Sequence, residues 1–339
     1  MPVKARHYAK RPRSVEGHGE FDINSCLKGD RCSTGRVRAS APVHPQAQPF
    51  MVHRFLLVLL IAATAITAGA APNRIPPLVP EPTNVQIPGK IVWADIFTTA
   101  PNITARFYSA LFDWSTRTIT DEKGKYVVLS SSAGPVVGIA RGPDRKDKRT
   151  SARWIAYFST TDTAAAVETI ETNGGRVIAG PLAIPDRGMH VIAADPEGGL
   201  FGLMKSSAGD PADTPVGEGG LLWFNLFARD PMALGPFYEK VAQLQSSPWR
   251  ADGLLLSTDD ASRASISKLG DDTTATTTWV PFFRVASLER KIRLARRLGA
   301  KLVVDPRMME NGMQVAVFTD TTGGVFAMAE GKTQEEVSP

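Results

Sequence analysis

Histidine, cysteine and carboxylate side chains supply most protein metal sites and nucleophiles, and this chain spreads them unevenly. Both cysteines, Cys26 and Cys32, and four of its five histidines lie in the first 53 residues. Past that point only His190 is left, so one chain cannot supply a two-histidine, one-carboxylate centre there. A Cys-based zinc site, a disulfide scaffold and a cysteine nucleophile are excluded on the same count. Asp95 is the carboxylate that stands out, set inside the apolar run KIVWADIFT. A carboxylate buried in such a strand needs a partner or a raised pKa, and it would serve as a ligand anchor or a general base. Strand alternation turns Trp93 and Asp95 to one face but does not say whether that face is inside or meets solvent or an arginine. His190 titrates near neutrality and could shuttle protons. The alternative is a hydrogen-bonding position in a strand. The aromatic residues Trp93, Trp154, Tyr157, Trp223, Trp279, Phe282 and Phe283 could line a pocket for flat or apolar ligands, or fill a core.

The elements that hold these residues repeat. Gly188 to Met204, GMHVIAADPEGGLFGLM, reads as strand, glycine turn and strand, and GMQVAVFTDTTGGVFAM returns from Gly312 to Met328. Val191 then matches Val315, Asp195 matches Asp320, Gly198-Gly199 matches Gly323-Gly324, and His190 falls on Gln314. Upstream, LLWFNLFA from Leu221 matches the first strand, setting Trp223 over Trp93 and Asn225 over Asp95, while Phe237-Tyr238 matches Phe107-Tyr108. The order in the first half is a strand (90–98), a helix (102–112) and strands at 116–120, 126–130 and 136–140. A second unit follows, with a strand at 154–159, a helix at 163–173 stopped by Gly174-Gly175, and strands at 176–179, 189–194 and 200–204. Two βαβββ units make one domain, and the whole pattern restarts after the turn-rich stretch SSAGDPADTPVGE. The expected organisation is domain 1 at 89–205, a linker at 206–217, domain 2 at 218–330 and a tail at 331–339.

The net charge of +5 sits outside this body: residues 1–50 hold nine Lys/Arg against four acids, which leaves 30 of each in the remainder. The folded part is neutral and lacks the electrostatic footprint of a nucleic-acid partner. Met51 opens a secretory pattern, with His53-Arg54 basic, Phe55 to Ile66 apolar and Ala68-Gly69-Ala70 as a cleavage box. The apolar run is too short for a membrane span, so no stable span is expected after cleavage. The expected reading is a signal peptide at 51–70, translation from Met51, residues 1–50 as a disordered or mis-assigned leader, and an exported product beginning at Ala71. Six prolines between Pro72 and Pro88 make 71–88 an extended linker.

FYSALFDW (107–114), WIAYFSTTD (154–162), ETNGGRV (171–177) and DPEGGLFGL (195–203), the last echoed by DTTGGVFAM, resemble the vicinal oxygen chelate superfamily of glyoxalases, bleomycin-resistance proteins and extradiol dioxygenases. The resemblance spans nearly all of the chain from Pro88 to Glu330. It implies an α+β fold of two tandem glyoxalase-like domains, each pair of βαβββ units curling a mixed sheet into a cup. It also implies a small-molecule ligand, often on a divalent metal held by His and Glu. Those metal positions fall at or beside Trp93, Ala156 and Gly202, and Trp223, Val280 and Ala327, none of which is a ligand type. The expectation is therefore an exported protein without metal or other cofactor, binding a small organic molecule as a monomer or homodimer. The ligand set drawn from the residues is Trp93, Asp95, Trp154, Tyr157, His190, Trp223, Asn225, Trp279 and Phe283, with no catalytic residue assigned. A metal-dependent lyase, isomerase or dioxygenase is the alternative reading, and an interaction scaffold is the third.

Overall fold

Each half of the body begins with an apolar strand followed by a helix with proline in its first turn, where the missing N–H costs nothing. The computed structural model describes residues 74–121, 124–143, 151–270 and 276–331. The leader, the signal segment and the last eight residues lie outside them. The first half runs β1 (Ile91–Thr98), α1 (Pro101–Phe112), β2 (Ser115–Asp121), β3 (Gly124–Ser131), β4 (Gly134–Arg141), β5 (Ala152–Ser159), α2 (Thr163–Thr172), β6 (Arg176–Ile184), β7 (Gly188–Ala194) and β8 (Leu200–Ser206). The second runs β9 (Leu221–Ala228), α3 (Pro231–Ala242), β10 (Gln245–Trp249), β11 (Gly253–Ser257), β12 (Ser262–Lys268), β13 (Thr278–Arg284), α4 (Leu288–Arg297), β14 (Lys301–Met308), β15 (Gln314–Thr319) and β16 (Val325–Glu330).

These strands form two open eight-stranded sheets of one topology, β2-β3-β4-β1-β5-β8-β7-β6 and β10-β11-β12-β9-β13-β16-β15-β14. In each, two βαβββ units join through one antiparallel central pair, β1 with β5 and β9 with β13. The fold is α+β, as the repeat predicts. The convex faces of the two sheets turn toward each other around one continuous core that includes Phe107, Tyr108, Trp154 and Phe158 from the first half and Phe237, Tyr238, Trp279 and Phe283 from the second. Each concave face holds a smaller apolar cluster of its own.

The duplicated turns also join the halves. Asp195 Oδ1 accepts the N–H groups of Glu197 and Gly199 within its turn, while Oδ2 accepts the Tyr238 hydroxyl at 2.8 Å. Reciprocally, Asp320 Oδ1 accepts from the N–H groups of Thr322 and Gly324, and Oδ2 from Tyr108 at 2.9 Å. The glycine pair is required twice over. Gly198 and Gly323 have φ of +86° and +94°, and a Cβ on Gly199 or Gly324 would stand 2.5 or 2.6 Å from the aspartate Oδ2.

Burial pushes Asp195 up to about 6, against the pull of its Tyr238, Gly199 and Glu197 hydrogen bonds. Its folded pKa thus lies above its unfolded value, so its contribution to stability is full below about pH 4 and is lost as the pH rises through about 6. Asp195→Asn is expected to remove a fall in unfolding free energy on the order of 3 kcal/mol between pH 4 and 7, read as urea midpoints of the two proteins across that range. Parallel pH profiles for wild type and variant would contradict it.

Residues 74–88 carry no helix or strand, yet they are packed rather than free. Thr83 and Asn84 donate their N–H groups to the Ala208 carbonyl, and the Ile87 N–H reaches Asp210 Oδ2 at 2.6 Å. The inter-sheet linker is pinned as well, since Asp213 pairs with Lys90 at 2.7 Å and with Arg263 at 2.8 Å.

Candidate functional site

In the first cup, alternation along β1 sends Ala94 and Ile96 to the shared core and Trp93, Asp95 and Phe97 to the concave face. Asp95 is buried there with partners. Trp93 Nε1 donates to its Oδ1 at 2.8 Å and the Tyr126 hydroxyl donates to the same oxygen at 2.5 Å. This arrangement exists because β4 places Gly138 opposite Asp95, where a Cβ would stand 1.8 Å from Tyr126 Oη and 2.1 Å from Asp95 Oδ1. Burial raises the Asp95 pKa, while Tyr126, Trp93, the Arg187 charge and Tyr157 pull it back. Tyr126 and Tyr157 are in turn raised well above the ordinary tyrosine value, by burial first and then by the Asp95 charge. The result is a buried carboxyl beside two phenols that keep their protons, set in an apolar wall.

Arg187 completes this cluster from the turn before β7. Its side chain is 1% exposed and its Cζ lies 3.9 Å from the centre of the Trp93 ring, a cation–π placement. Nε donates to the Pro76 carbonyl at 2.9 Å, but Nη1 and Nη2 are buried without hydrogen-bond partners. His190, the third residue of β7, is 7% exposed, sits edge-on to Tyr157 and leaves Nε2 equally unpartnered. Burial, reinforced by the Arg187 charge, pulls its pKa down to about 3, so the imidazole is neutral at physiological pH. Each buried orphan donor or acceptor costs about 1–3 kcal/mol, and three of the buried side-chain atoms without a hydrogen-bond partner are gathered in this cluster.

The second cup is chemically quieter at its centre. Asn225 Oδ1 accepts from Ser265 Oγ at 2.6 Å and Ser267 Oγ at 2.9 Å, and Trp223 Nε1 donates to Ser265 at 2.9 Å. Uncharged groups satisfy one another there.

Of the residues drawn from the sequence, the structure brings Trp93, Asp95, Tyr157 and His190 together in the first cup and Trp223 with Asn225 in the second. Trp154, Trp279 and Phe283 are elsewhere and must be removed from the site. They lie in the core between the sheets, where Trp154 meets Tyr108 at 5.5 Å and Phe283 at 5.8 Å between ring centres, and Trp279 meets Tyr238 at 5.5 Å. The reason is strand parity: Tyr157 and Phe282 take the concave faces, so Trp154, Trp279 and Phe283 take the convex ones. Sequence reasoning missed Tyr126, Gly138 and Arg187. Tyr126 was open to the alternation argument within its strand. Arg187, in the turn PDRG, carries no one-dimensional sign of pointing inward.

Residues 92–204 match the family model of a glyoxalase-like domain. The fold aligns with the Mn(II)-bound glyoxalase of Novosphingobium aromaticivorans at a TM-score of 0.53 and 17% identity, covering 73% of this chain and 83% of that one. Residues 92–204, a third of the chain, thus carry a glyoxalase-like domain, and the solved glyoxalase shares the fold. A second solved structure, the 2,2',3-trihydroxybiphenyl 1,2-dioxygenase of Sphingomonas wittichii strain RW1, shares the fold at a TM-score of 0.52 and 15% identity, over 73% of this chain and 92% of its own. In sequence, the anthracycline biosynthesis protein DauV of Streptomyces sp. (strain C5) is 26% identical over 258 residues, 72% of this chain and 94% of that protein.

The metal positions implied by the resemblance fall on one row of strand positions across each sheet, and the register identifies that row. It runs Trp93–Tyr157–Gly202 in the first cup and Trp223–Phe282–Ala327 in the second, so Tyr157 and Phe282, rather than Ala156 and Val280, are the inward residues. A Cβ on Gly202 would lie 2.2 Å from the Tyr157 ring, which fills the place a ligand side chain would use. Asp95 is engaged by two donors, with a guanidinium nearby. This donor set does not fit a divalent cation. Among the described residues, no group of three or more His, Cys, Asp or Glu side chains stands close enough to share one.

Proposed function

We propose that this protein is an exported, metal-free member of the superfamily that binds a small organic molecule in its first cup. The observation that carries the reading is the cluster of buried polar atoms without partners, Arg187 Nη1 and Nη2 and His190 Nε2, set in an apolar and aromatic wall. The name of the DauV relative, which ties it to the biosynthesis of a small organic molecule, supports the ligand class. Export rests on the Met51 to Ala70 pattern.

Protein purified from Ala71 onward and incubated with Zn, Ni, Mn and Fe(II) is expected to retain no stoichiometric metal in elemental analysis. Tight retention of any of them would reject the metal-free reading. Mass spectrometry of exported protein from the host should find Ala71 as its first residue, and a retained Met51 would reject cleavage.

A second reading is favoured by one observation, the raised pKa of Asp95 between two phenols. In it, Asp95 acts as general base on the bound molecule. Asp95→Asn would then abolish turnover while leaving ligand affinity within a few-fold, whereas a pure binding protein shows no turnover to lose.

A further inference from the structure

The mouth of the first cup is covered by the chain itself. Ile75 and Leu78 pack against the cup cluster of Trp93, Ile155, Tyr157 and Met204, and Val79 is buried beside them. Among the described residues, the Pro76 carbonyl is the one hydrogen-bond acceptor that the Arg187 guanidinium has found, through Nε. The strap is fastened unevenly. Downstream, 83–87 is tied to 208–210 by backbone hydrogen bonds and by Asp210, whereas upstream Arg74 makes an exposed pair with Asp186 at 3.7 Å and its carbonyl accepts from Arg117 Nη2 at 3.4 Å, both on the surface. Between them Pro80, Glu81 and Pro82 are exposed, a joint about which the strap could lift.

A single neutral carbonyl is a poor match for this guanidinium. Arg187 presents a planar fork built to pair with two oxygens of one anion, and two of its three nitrogens are buried with nothing to bind. The strap covers the apolar wall and, while Asp95 acts on the guanidinium through space, leaves Nη1 and Nη2 without a hydrogen-bond acceptor.

We infer that the first cup takes a flat aromatic oxyanion, a carboxylate or a ligand of like charge and shape, whose oxygens pair with Arg187 Nη1 and Nη2 while its apolar body displaces residues 75–79. This rests on the reading of the first cup as a small-molecule site and adds the ligand's charge and its competitor. Three consequences follow from the chemistry. A neutral isostere lacks the charge that the guanidinium calls for. Weakening the apolar anchors of the strap strengthens ligand binding, because less contact is given up on entry. Bound ligand sets the strap free.

The probes are 2-naphthoate and its neutral amide, 2-naphthamide, titrated calorimetrically into the full mature chain, its Ile75→Ser/Leu78→Ser form, and each of these with Arg187→Met. The expected results are a preference of at least tenfold for the carboxylate, a gain of at least tenfold in the strap variant, and loss of the carboxylate preference on Arg187→Met. Arg187→Lys should recover part of that preference, which guards against an Arg187→Met protein that has simply lost its cup. Hydrogen exchange of the Leu78 and Val79 amides should accelerate when 2-naphthoate binds the wild-type chain.

Equal affinity for the two probes, or carboxylate binding undiminished by Arg187→Met, overturns the oxyanion assignment and leaves the small-molecule reading standing. Equal affinity of strap variant and wild type, or strap exchange unchanged by ligand, overturns displacement. If no form binds either probe, the inference and the small-molecule reading fall together.

Discussion

Trp154→Ala is expected to cost about 3–5 kcal/mol of stability and to weaken both halves of the molecule at once. The indole is 2% exposed and stands between Tyr108 of its own half and Phe283 of the other, with Phe112 and Trp114 also packed on Phe283. Those rings belong to one core that neither sheet could close alone, so the cavity left by the indole removes contacts from both. The protein should therefore still unfold in a single cooperative step, at a lower urea midpoint and with near-UV dichroism and far-UV dichroism changing together. Tyr157→Phe, three residues along the same strand but on the other face, is the control. It removes a hydroxyl near Asp95, so its effect should fall on ligand binding more than on stability. A Trp154→Ala protein of unchanged stability that had lost ligand affinity would return Trp154 to the site.

That pair of residues also shows why the sheets were legible in the sequence and the site only partly so. The duplicated glycine hairpins and the matched opening strands carry the whole topology, because a βαβββ unit found twice in each half leaves few ways to connect it. Facing is another matter. β5 and β13 are buried on both sides, so no polar residue marks the outer face and periodicity cannot separate Trp154 from Tyr157 or Phe283 from Phe282. The Phe-Tyr pairs and the turn aspartates were each visible as repeats. That Tyr108 reaches Asp320 and Tyr238 reaches Asp195, crossing between halves, depends on how the two sheets stack, which local pattern does not encode. β10 to β12 went unplaced for a simpler reason. QSSPW and SRASISK are rich in serine, and the serines that matter, Ser265 and Ser267, face inward as partners of Asn225. Arg187 is the extreme case, a charged turn residue that reads as solvent-facing and is almost completely buried.

Gly138→Ala is expected to be the most damaging change that adds only one methyl group to the first cup. The new Cβ would lie 1.8 Å from Tyr126 Oη and 2.1 Å from Asp95 Oδ1, far inside contact distance, so one of them must leave. The Tyr126 hydroxyl is the far end of a side chain and is the group that moves. Asp95 then keeps Trp93 Nε1 and loses its shortest hydrogen bond, while remaining buried. A lost hydrogen bond to a buried carboxylate together with overpacking amounts to about 3 kcal/mol, and the wall that faces Arg187 is rearranged with it. Chemical denaturation should show the loss of stability, and 2-naphthoate titration a loss of affinity. Gly142→Ala, whose added Cβ would meet nothing closer than 3.4 Å, should stay within about 0.5 kcal/mol of wild type. The second cup shows what the first would need in order to accept a side chain at this position. There Ser265 stands where Gly138 does, Asn225 replaces Asp95, and Gly253 takes the register position of Tyr126, so a hydroxyl from β12 supplies the hydrogen bond that the phenol from β3 supplies in the first. Gly138→Ser combined with Asp95→Asn and Tyr126→Gly should accordingly recover much of the stability that Gly138→Ala loses, and should not recover 2-naphthoate binding, because Tyr126→Gly takes a ring out of the apolar wall beside Arg187. Recovery of binding in that triple variant would show that Arg187 alone defines the ligand, and failure to recover stability would show that the two cups do not share one packing solution.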